Sequence, residues 1–240
     1  MSTSRASLSA KRPVRRTAPH RGRPAQAHPY VAVDVVIFTI DGGELKTLVV
    51  QVRDGPFAGR WAFPGGLVRI DESPDDAARR ELSAKTGLRG VYLEQLRTFG
   101  EPGRDPRARV VSTAYVALVP AKDRVARSAK YRDVAWCAAH HRPPLAYDHD
   151  AIARAALERL RAKLAYTNLV YGLLPPAFTL GDLQAIYEII LGRDLDRRNF
   201  RKKILASGLL RRLPAQRRGS HRPAALYRFA QRRPMVVEML

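Results

Sequence analysis

Chemistry is concentrated between Pro64 and Leu88. Glu72 and Glu81 are carboxylates, Arg80 sits beside Glu81, and Lys85 follows one helical turn later. Ser73 is a good N-cap, Pro74 suits the first helical position, and Asp75 and Asp76 place negative charge in the first turn. Gly87 suits a left-handed helix terminus. A loop, a helix and a loop are therefore predicted, with Glu81 and Lys85 as neighbours on one face. Glu81 puts a carboxylate on that face. Here that face also carries an ammonium group.

The spacing resembles the Nudix box: Gly, five residues, Glu, seven residues, Arg-Glu-apolar, any residue, Glu-Glu, any residue, Gly-apolar. Gly66, Glu72, Arg80, Glu81, Leu82, Gly87 and Leu88 fall in register, whereas Ala84 and Lys85 stand where the pattern has adjacent glutamates. In the hydrolases of the family, the resemblance implies, those glutamates hold magnesium against a diphosphate. Alanine offers no ligand and lysine repels the ion. We expect Lys85 to pair with Glu81 in the place of a metal, which leaves a pocket without hydrolysis. The plainer alternative is an exposed ion pair contributing about 0.3–0.5 kcal/mol.

The elements around this stretch read as alternating strands. Val31 to Ile40 is β-branched, Asp41-Gly42-Gly43 is a turn, and Leu45 to Val52 completes a hairpin. Tyr92 to Phe99, Val110 to Val119 and Val134 to Cys137 supply further strands. Together with one capped helix they suit a mixed α/β sandwich, and the resemblance implies an α/β/α sandwich with a mixed sheet. The loop from Gly100 to Arg109 carries Arg104, Arg107 and Arg109, whose guanidiniums either meet a diphosphate or are solvated. Arg53 and Arg60 pose the same choice. Phe63 is expected in the core, and Trp61 either there or stacked on an adenine.

Charge points to a second activity. The 240 residues carry 43 Lys/Arg against 22 Asp/Glu, a formal net charge of +21. Such an excess suits a polyanionic partner, nucleic acid first among them. The single cysteine, Cys137, excludes an internal disulfide and fits a reducing compartment. No apolar run reaches the roughly 18 residues of a membrane span, and the histidines form no zinc-like cluster. Residues 1–29 hold seven basic residues and no acidic one. They read as a disordered tail that touches DNA phosphate or is an inert extension, with an organellar transit peptide as a further alternative.

Residues 147–240 read as a connecting helix and a DNA-binding unit. Ile152, Ala156, Leu160 and Leu164 recur every four residues, predicting one long helix from Asp148 to Tyr171 that Pro175-Pro176 ends. Thr179 caps a second helix, Leu180 to Leu191, and Asp196 a third, Arg197 to Ser207. A hairpin follows, Leu209 to Leu213 and Leu226 to Phe229, with a basic tip. That order is a winged helix-turn-helix. On the third helix Phe200 and Ile204 face inward, leaving Arg198, Asn199, Arg201 and Lys202 outward. Arg197 begins this helix. Arg198 and Asn199, near its N-terminus, are the expected base readers, since Arg suits guanine and Asn adenine. Arg201, Lys202 and Lys203 are expected on phosphate, and Arg217, Arg218, His221 and Arg222 along the backbone or in a minor groove.

The combination resembles the NAD-related Nudix transcriptional regulators of NrtR type, over roughly Tyr30 to Phe229. The resemblance implies an α+β chain with a sensing domain at 30–146 and a linker helix with winged helix at 147–240. It further implies a cytoplasmic, nucleoid-associated homodimer that represses NAD biosynthesis or salvage genes from a palindromic operator. ADP-ribose or a related NAD-derived nucleotide is the implied effector, with Arg53, Arg60, Trp61, Glu81, Lys85, Arg104, Arg107 and Arg109 as its candidate contacts and no cofactor or metal. Two alternatives stand beside it. One is an active pyrophosphatase using Glu72, Glu81 and Glu101, with the basic domain on RNA. The other is a constitutive DNA-binding protein with a vestigial pocket.

Overall fold

A computed structural model describes residues 28–87, 89–121, 131–218 and 223–236. The N-terminal tail (1–27), Leu88, His221 and Arg222 lie outside the described residues. Strand β1 (Tyr30–Asp41) turns through Gly42 and Gly43, both at positive φ, into antiparallel β2 (Glu44–Gln51). Two left-handed residues in succession match the twist of a two-residue hairpin. The short β3 (Trp61–Ala62) and β4 (Gly65–Leu67) lead into helix α1 (Pro74–Thr86), and β5 (Tyr92–Phe99), β6 (Val110–Leu118) and β7 (Val134–Ala138) follow.

The sheet runs β3-β2-β1-β6-β5, with β4 also on β1 and β7 also on β2. β1 and β6 are parallel and the remaining pairs antiparallel, so the sheet is mixed. Both faces are covered, which explains why β1 is an almost unbroken apolar run. Val33, Val35 and Ile37 pack with Ala77, Ala78 and Leu82 of α1. Val36 and Phe38 point the other way, into the core shared with Ile152, Ala156, Leu160 and Leu164 of helix α2 (His149–Leu164). The α/β/α sandwich expected from the sequence is thus present.

The same core continues without a break into the C-terminal unit through Leu169, Val170, Phe178, Tyr187, Phe200 and Phe229. There β8 (Phe178–Thr179), α3 (Leu180–Leu191), α4 (Arg197–Ala206), β9 (Leu210–Arg217) and β10 (Ala224–Phe229) form a winged helix, with a three-stranded sheet ordered β8-β10-β9. Thr179 and Asp182 build a reciprocal capping box on α3, and Asp196 caps α4 by accepting from the Asn199 N–H at 2.7 Å. Pro214 is tolerated in β9 because that strand is at the edge.

One expected element is shorter than its sequence pattern. α2 ends at Leu164 rather than Tyr171, and a 3-10 turn (Leu169–Gly172) follows. The cause lies far along the chain. Asn168 is fully buried, its amide donates to the Arg233 carbonyl at 3.1 Å, and its side-chain oxygen accepts from the Met235 N–H at 2.8 Å. The Thr167 hydroxyl, meanwhile, donates back to the Lys163 carbonyl at 2.8 Å. Arg232 adds bonds to the carbonyls of Tyr171 and Leu174. The residues after β10 therefore strap the break between α2 and the winged helix. No helix among the described residues is long and apolar enough to cross a membrane.

Candidate functional site

The capped helix α1 positions the altered box. The Ser73 hydroxyl oxygen accepts from the Asp76 N–H at 3.1 Å, Pro74 occupies the first turn, and Gly87 closes the helix at φ 72°. Arg80 grips Glu72 with two bonds, Nε to Oε2 at 3.0 Å and Nη2 to Oε1 at 2.6 Å, while the Arg69 N–H donates to Oε1 at 2.9 Å. Those bonds hold the Glu72 carboxyl at a pKa of about 2, the Arg80 pair being the larger cause. Arg80 also donates to Glu81 Oε1 at 2.7 Å. Glu72 thus organises the loop through arginine.

Glu81 and Lys85 are both buried, at 3% and 1% exposure, whereas Ala84 faces solvent. The Lys85 ammonium stands 4.1 Å from the centre of the Tyr131 ring, a cation–π distance. The Tyr131 hydroxyl in turn donates to the Gly65 carbonyl at 3.1 Å. Gly65 cannot be larger, since a Cβ there would lie 2.4 Å from Asp34 Oδ1 and 2.5 Å from the Val33 carbonyl. A magnesium ion does not fit this set: Glu72 is chelated by arginine, position 84 offers no donor, and a buried ammonium stands on the same face as Glu81. Among the described residues no group of three or more His, Cys, Asp or Glu is arranged to hold a metal.

Beside this face lies a buried ionic network that sequence reasoning missed. Asp34, in the middle of β1, accepts from the Ser112 hydroxyl at 2.6 Å and from Arg104 at 3.2 Å, and its other oxygen is 3.3 Å from His149 Nε2. Burial alone would raise the Asp34 pKa. His149, Arg104 and Ser112 outweigh it and lower the value to about 2. His149 Nδ1 accepts the Phe63 N–H at 2.9 Å, which orients the ring with Nε2 toward Asp34. Arg104 also chelates Asp148, the N-cap of α2, at 2.6 and 3.0 Å. A carboxylate in the middle of the otherwise apolar run from Val31 to Phe38 was the available signal.

The candidate arginines are distributed differently from the sequence expectation. Arg104 is buried and committed to Asp148 and Asp34, so it positions α2 rather than presenting a guanidinium to a ligand. Arg107 is bound to Asp105 by two bonds, 3.0 and 2.7 Å, but remains half exposed. Arg53, Arg60 and Arg109 are exposed, and Arg60 lies over the Phe57 ring at 5.9 Å. Trp61 is half-buried against the main core, its carbonyl accepting from the Ala146 N–H, and Phe63 is core. Glu101 is exposed on the loop.

In the winged helix, Phe200 and Ile204 seat α4, with Phe200 edge-on to Tyr187 at 5.3 Å. Arg197, Arg198, Asn199, Lys202 and Lys203 are exposed and Arg201 is half-buried. Arg217 is not free in the wing: it forms two bonds, 3.0 and 2.8 Å, to Asp182 in the first turn of α3. That pair ties the wing to the helix-turn-helix, so Arg217, expected along the DNA backbone or in a minor groove, already has a protein partner. Arg218 is exposed, as are Arg211 and Arg212 on β9, which the sequence reading did not single out.

Comparison with known proteins matches this two-part architecture. Residues 28–160 match the NUDIX domain model, and residues 170–229 match the NrtR DNA-binding winged helix domain. The chain is 37% identical over 206 residues, 84% of its length and 82% of the relative's, to the ADPR responsive transcriptional repressor NtrR of Acinetobacter baylyi. It belongs to the NrtR family. Among solved structures, NrtR of Shewanella oneidensis complexed with a 27mer DNA superposes with a TM-score of 0.74 at 33% identity, covering 83% of this chain and 93% of that one. The NUDIX domain of the same NrtR complexed with ADP ribose matches at 36% identity and a TM-score of 0.52, over 58% of this chain and 94% of that one.

Proposed function

We propose that this NrtR-family chain is a transcriptional repressor that senses ADP-ribose, or a related NAD-derived nucleotide, through a Nudix domain without hydrolase activity. One observation carries the proposal: one core runs from α4, whose exposed face is basic, to the α2 side of the Nudix sheet, while against the other side of that sheet Lys85 is buried where the Nudix box has a glutamate. Relatives that respond to ADPR or bind DNA support it.

On α4, Arg198 and Asn199 read base edges, while Arg197, Arg201, Lys202 and Lys203 hold phosphate with Arg218 of the wing. Two copies on a two-fold axis engage a palindromic operator of NAD-related genes, with half-sites about one or two helical turns apart. In the Nudix domain, Arg53, Arg60, Arg107 and Arg109 supply positive charge for the diphosphate and Trp61 borders the base. Glu81 and Lys85 close the floor, the ammonium taking over the charge that a divalent ion supplies in a hydrolase. The protein acts in the cytoplasm, where its operator lies, and residues 30–146 and 147–240 are its sensing and DNA-binding units.

A gel-shift titration with a palindromic duplex, run with and without ADP-ribose while nucleotide breakdown is followed, tests this. The expected result is a complex that ADP-ribose weakens about 5- to 150-fold, the usual span of allosteric coupling, with the nucleotide intact. Magnesium-dependent cleavage at about 1 s⁻¹ or faster, an ordinary enzyme rate, with no preference for the duplex, overturns it.

A further inference from the structure

Tyr147 is the one non-glycine among the described residues with positive φ, 56°. A bulky side chain seldom adopts this left-handed backbone, and such outliers mark places where the surrounding structure over-determines a strained conformation. Its neighbours show what holds it. On one side, the Ala146 N–H donates to the Trp61 carbonyl at 2.7 Å and the Leu145 N–H to Asp150 at 3.1 Å. On the other, Asp148 is chelated by Arg104. Tyr147 is therefore the bent link between a segment pinned to β3 and the N-cap of α2.

Its ring meets one of the candidate ligand arginines, Arg107. The ring centre lies 4.4 Å from that of Phe57 and 5.2 Å from that of His149. The Arg107 guanidinium stands over the ring at 6.0 Å and donates to the phenol oxygen at 3.3 Å. Three segments thus meet on one side chain: the 53–60 loop, the 100–109 loop and the root of α2.

We propose that Tyr147 is the platform for the nucleotide's base and, through its left-handed backbone, the hinge that passes occupancy to α2. This rests on the nucleotide-sensing function proposed above. A planar base stacks on an aromatic face, and here the Arg107 guanidinium stands at the hydroxyl end of that ring, bound to the phenol oxygen. That guanidinium gains a stronger partner in the diphosphate. The exchange removes the Arg107–Tyr147 contact at the root of α2, while the Arg104–Asp148 pair keeps the 100–109 loop on the N-cap of that helix. Ligand therefore favours the arrangement in which Tyr147 has relaxed, and α2 carries that change to the winged helix. Differential affinity of this kind is what a shift between two states requires.

The test uses full-length protein, ADP-ribose, and a two-fold-symmetric duplex selected from a random pool by the wild type. Calorimetry gives the ADP-ribose Kd, and fluorescence anisotropy gives operator affinity without and with saturating nucleotide. Tyr147→Phe keeps ring and backbone but loses the phenol oxygen that accepts from Arg107, and should bind ADP-ribose more tightly than Tyr147→Gly does. Tyr147→Gly accepts the left-handed backbone without strain and should bind ADP-ribose about tenfold more weakly, as loss of one stacking partner implies. At saturation its operator affinity should no longer change. Phe57→Ala, which leaves the hinge in place, should weaken ADP-ribose yet retain the wild-type ratio at saturation. A Tyr147→Gly variant with the wild-type ratio overturns the hinge, and one with wild-type ADP-ribose affinity overturns the platform. A wild type that ADP-ribose leaves unchanged overturns the sensing function itself, and is read before any variant.

Discussion

Replacing Lys85 by Glu tests whether an ammonium has taken the role of a metal ion. Lys85 is 1% exposed and Glu81, one turn before it, 3%. The substitution sets two buried carboxylates one helical turn apart, with Arg80 the cation bound to Glu81, and removes a buried positive charge. Breaking a buried charge arrangement costs about 3–5 kcal/mol. For a chain of this size each kcal/mol lowers Tm by roughly 2–4 °C, so the expected loss in metal-free buffer is about 6–20 °C. The same pair of carboxylates becomes a site for a divalent cation. At a concentration of manganese about 100 times its Kd, binding returns about 2.7 kcal/mol, or roughly 5–11 °C. Lys85→Met, which keeps the apolar stem and removes the charge, should lose stability without any recovery in manganese. The assay is thermal unfolding of wild type and both variants with EDTA or manganese. A wild type stabilised by manganese as strongly as Lys85→Glu, or a Lys85→Glu variant that melts within about 2 °C of wild type, refutes the substitution of lysine for metal.

Acid unfolding should show the buried network. Because the folded Asp34 pKa is lowered from 3.8 to about 2, its contribution is fully present above pH 3.8 and is lost as pH falls toward 2; integration gives about 2 kcal/mol, measured by urea titrations at pH 5 and pH 2.5. Arg104→Met strands Asp34 and Asp148 and should cost about 3–5 kcal/mol at pH 7, with less of that cost remaining at pH 2.5. In operator binding, Arg198→Ala should lose about 1–3 kcal/mol at one base pair and relax specificity there, as a library selection would reveal. Lys202→Ala should weaken all sequences alike and reduce the salt slope by about one unit. Arg217→Ala should have a smaller effect on that slope than Lys202→Ala, because its guanidinium is already bound to Asp182.

Local rules made much of this protein legible before any coordinates. Ser73, Thr179 and Asp196 cap helices through bonds to residues three positions away, and the strands announce themselves by β-branched runs. Such effects act between near neighbours in the chain, so the order of strands, helices and wing follows from sequence, as does the break in the Nudix box at Ala84 and Lys85. Tertiary structure alone decided where the charges go. Asp34, Arg104, Asp148 and His149 come from a strand, a loop and a helix root and meet because the β1–β6 pairing and the seat of α2 bring them together. The same distance in sequence hid the end of α2, set by contacts from Arg233 and Met235, and the capture of Arg217 by Asp182. A buried ion selects its partner by proximity in the folded chain, and no spacing along the sequence encodes that proximity.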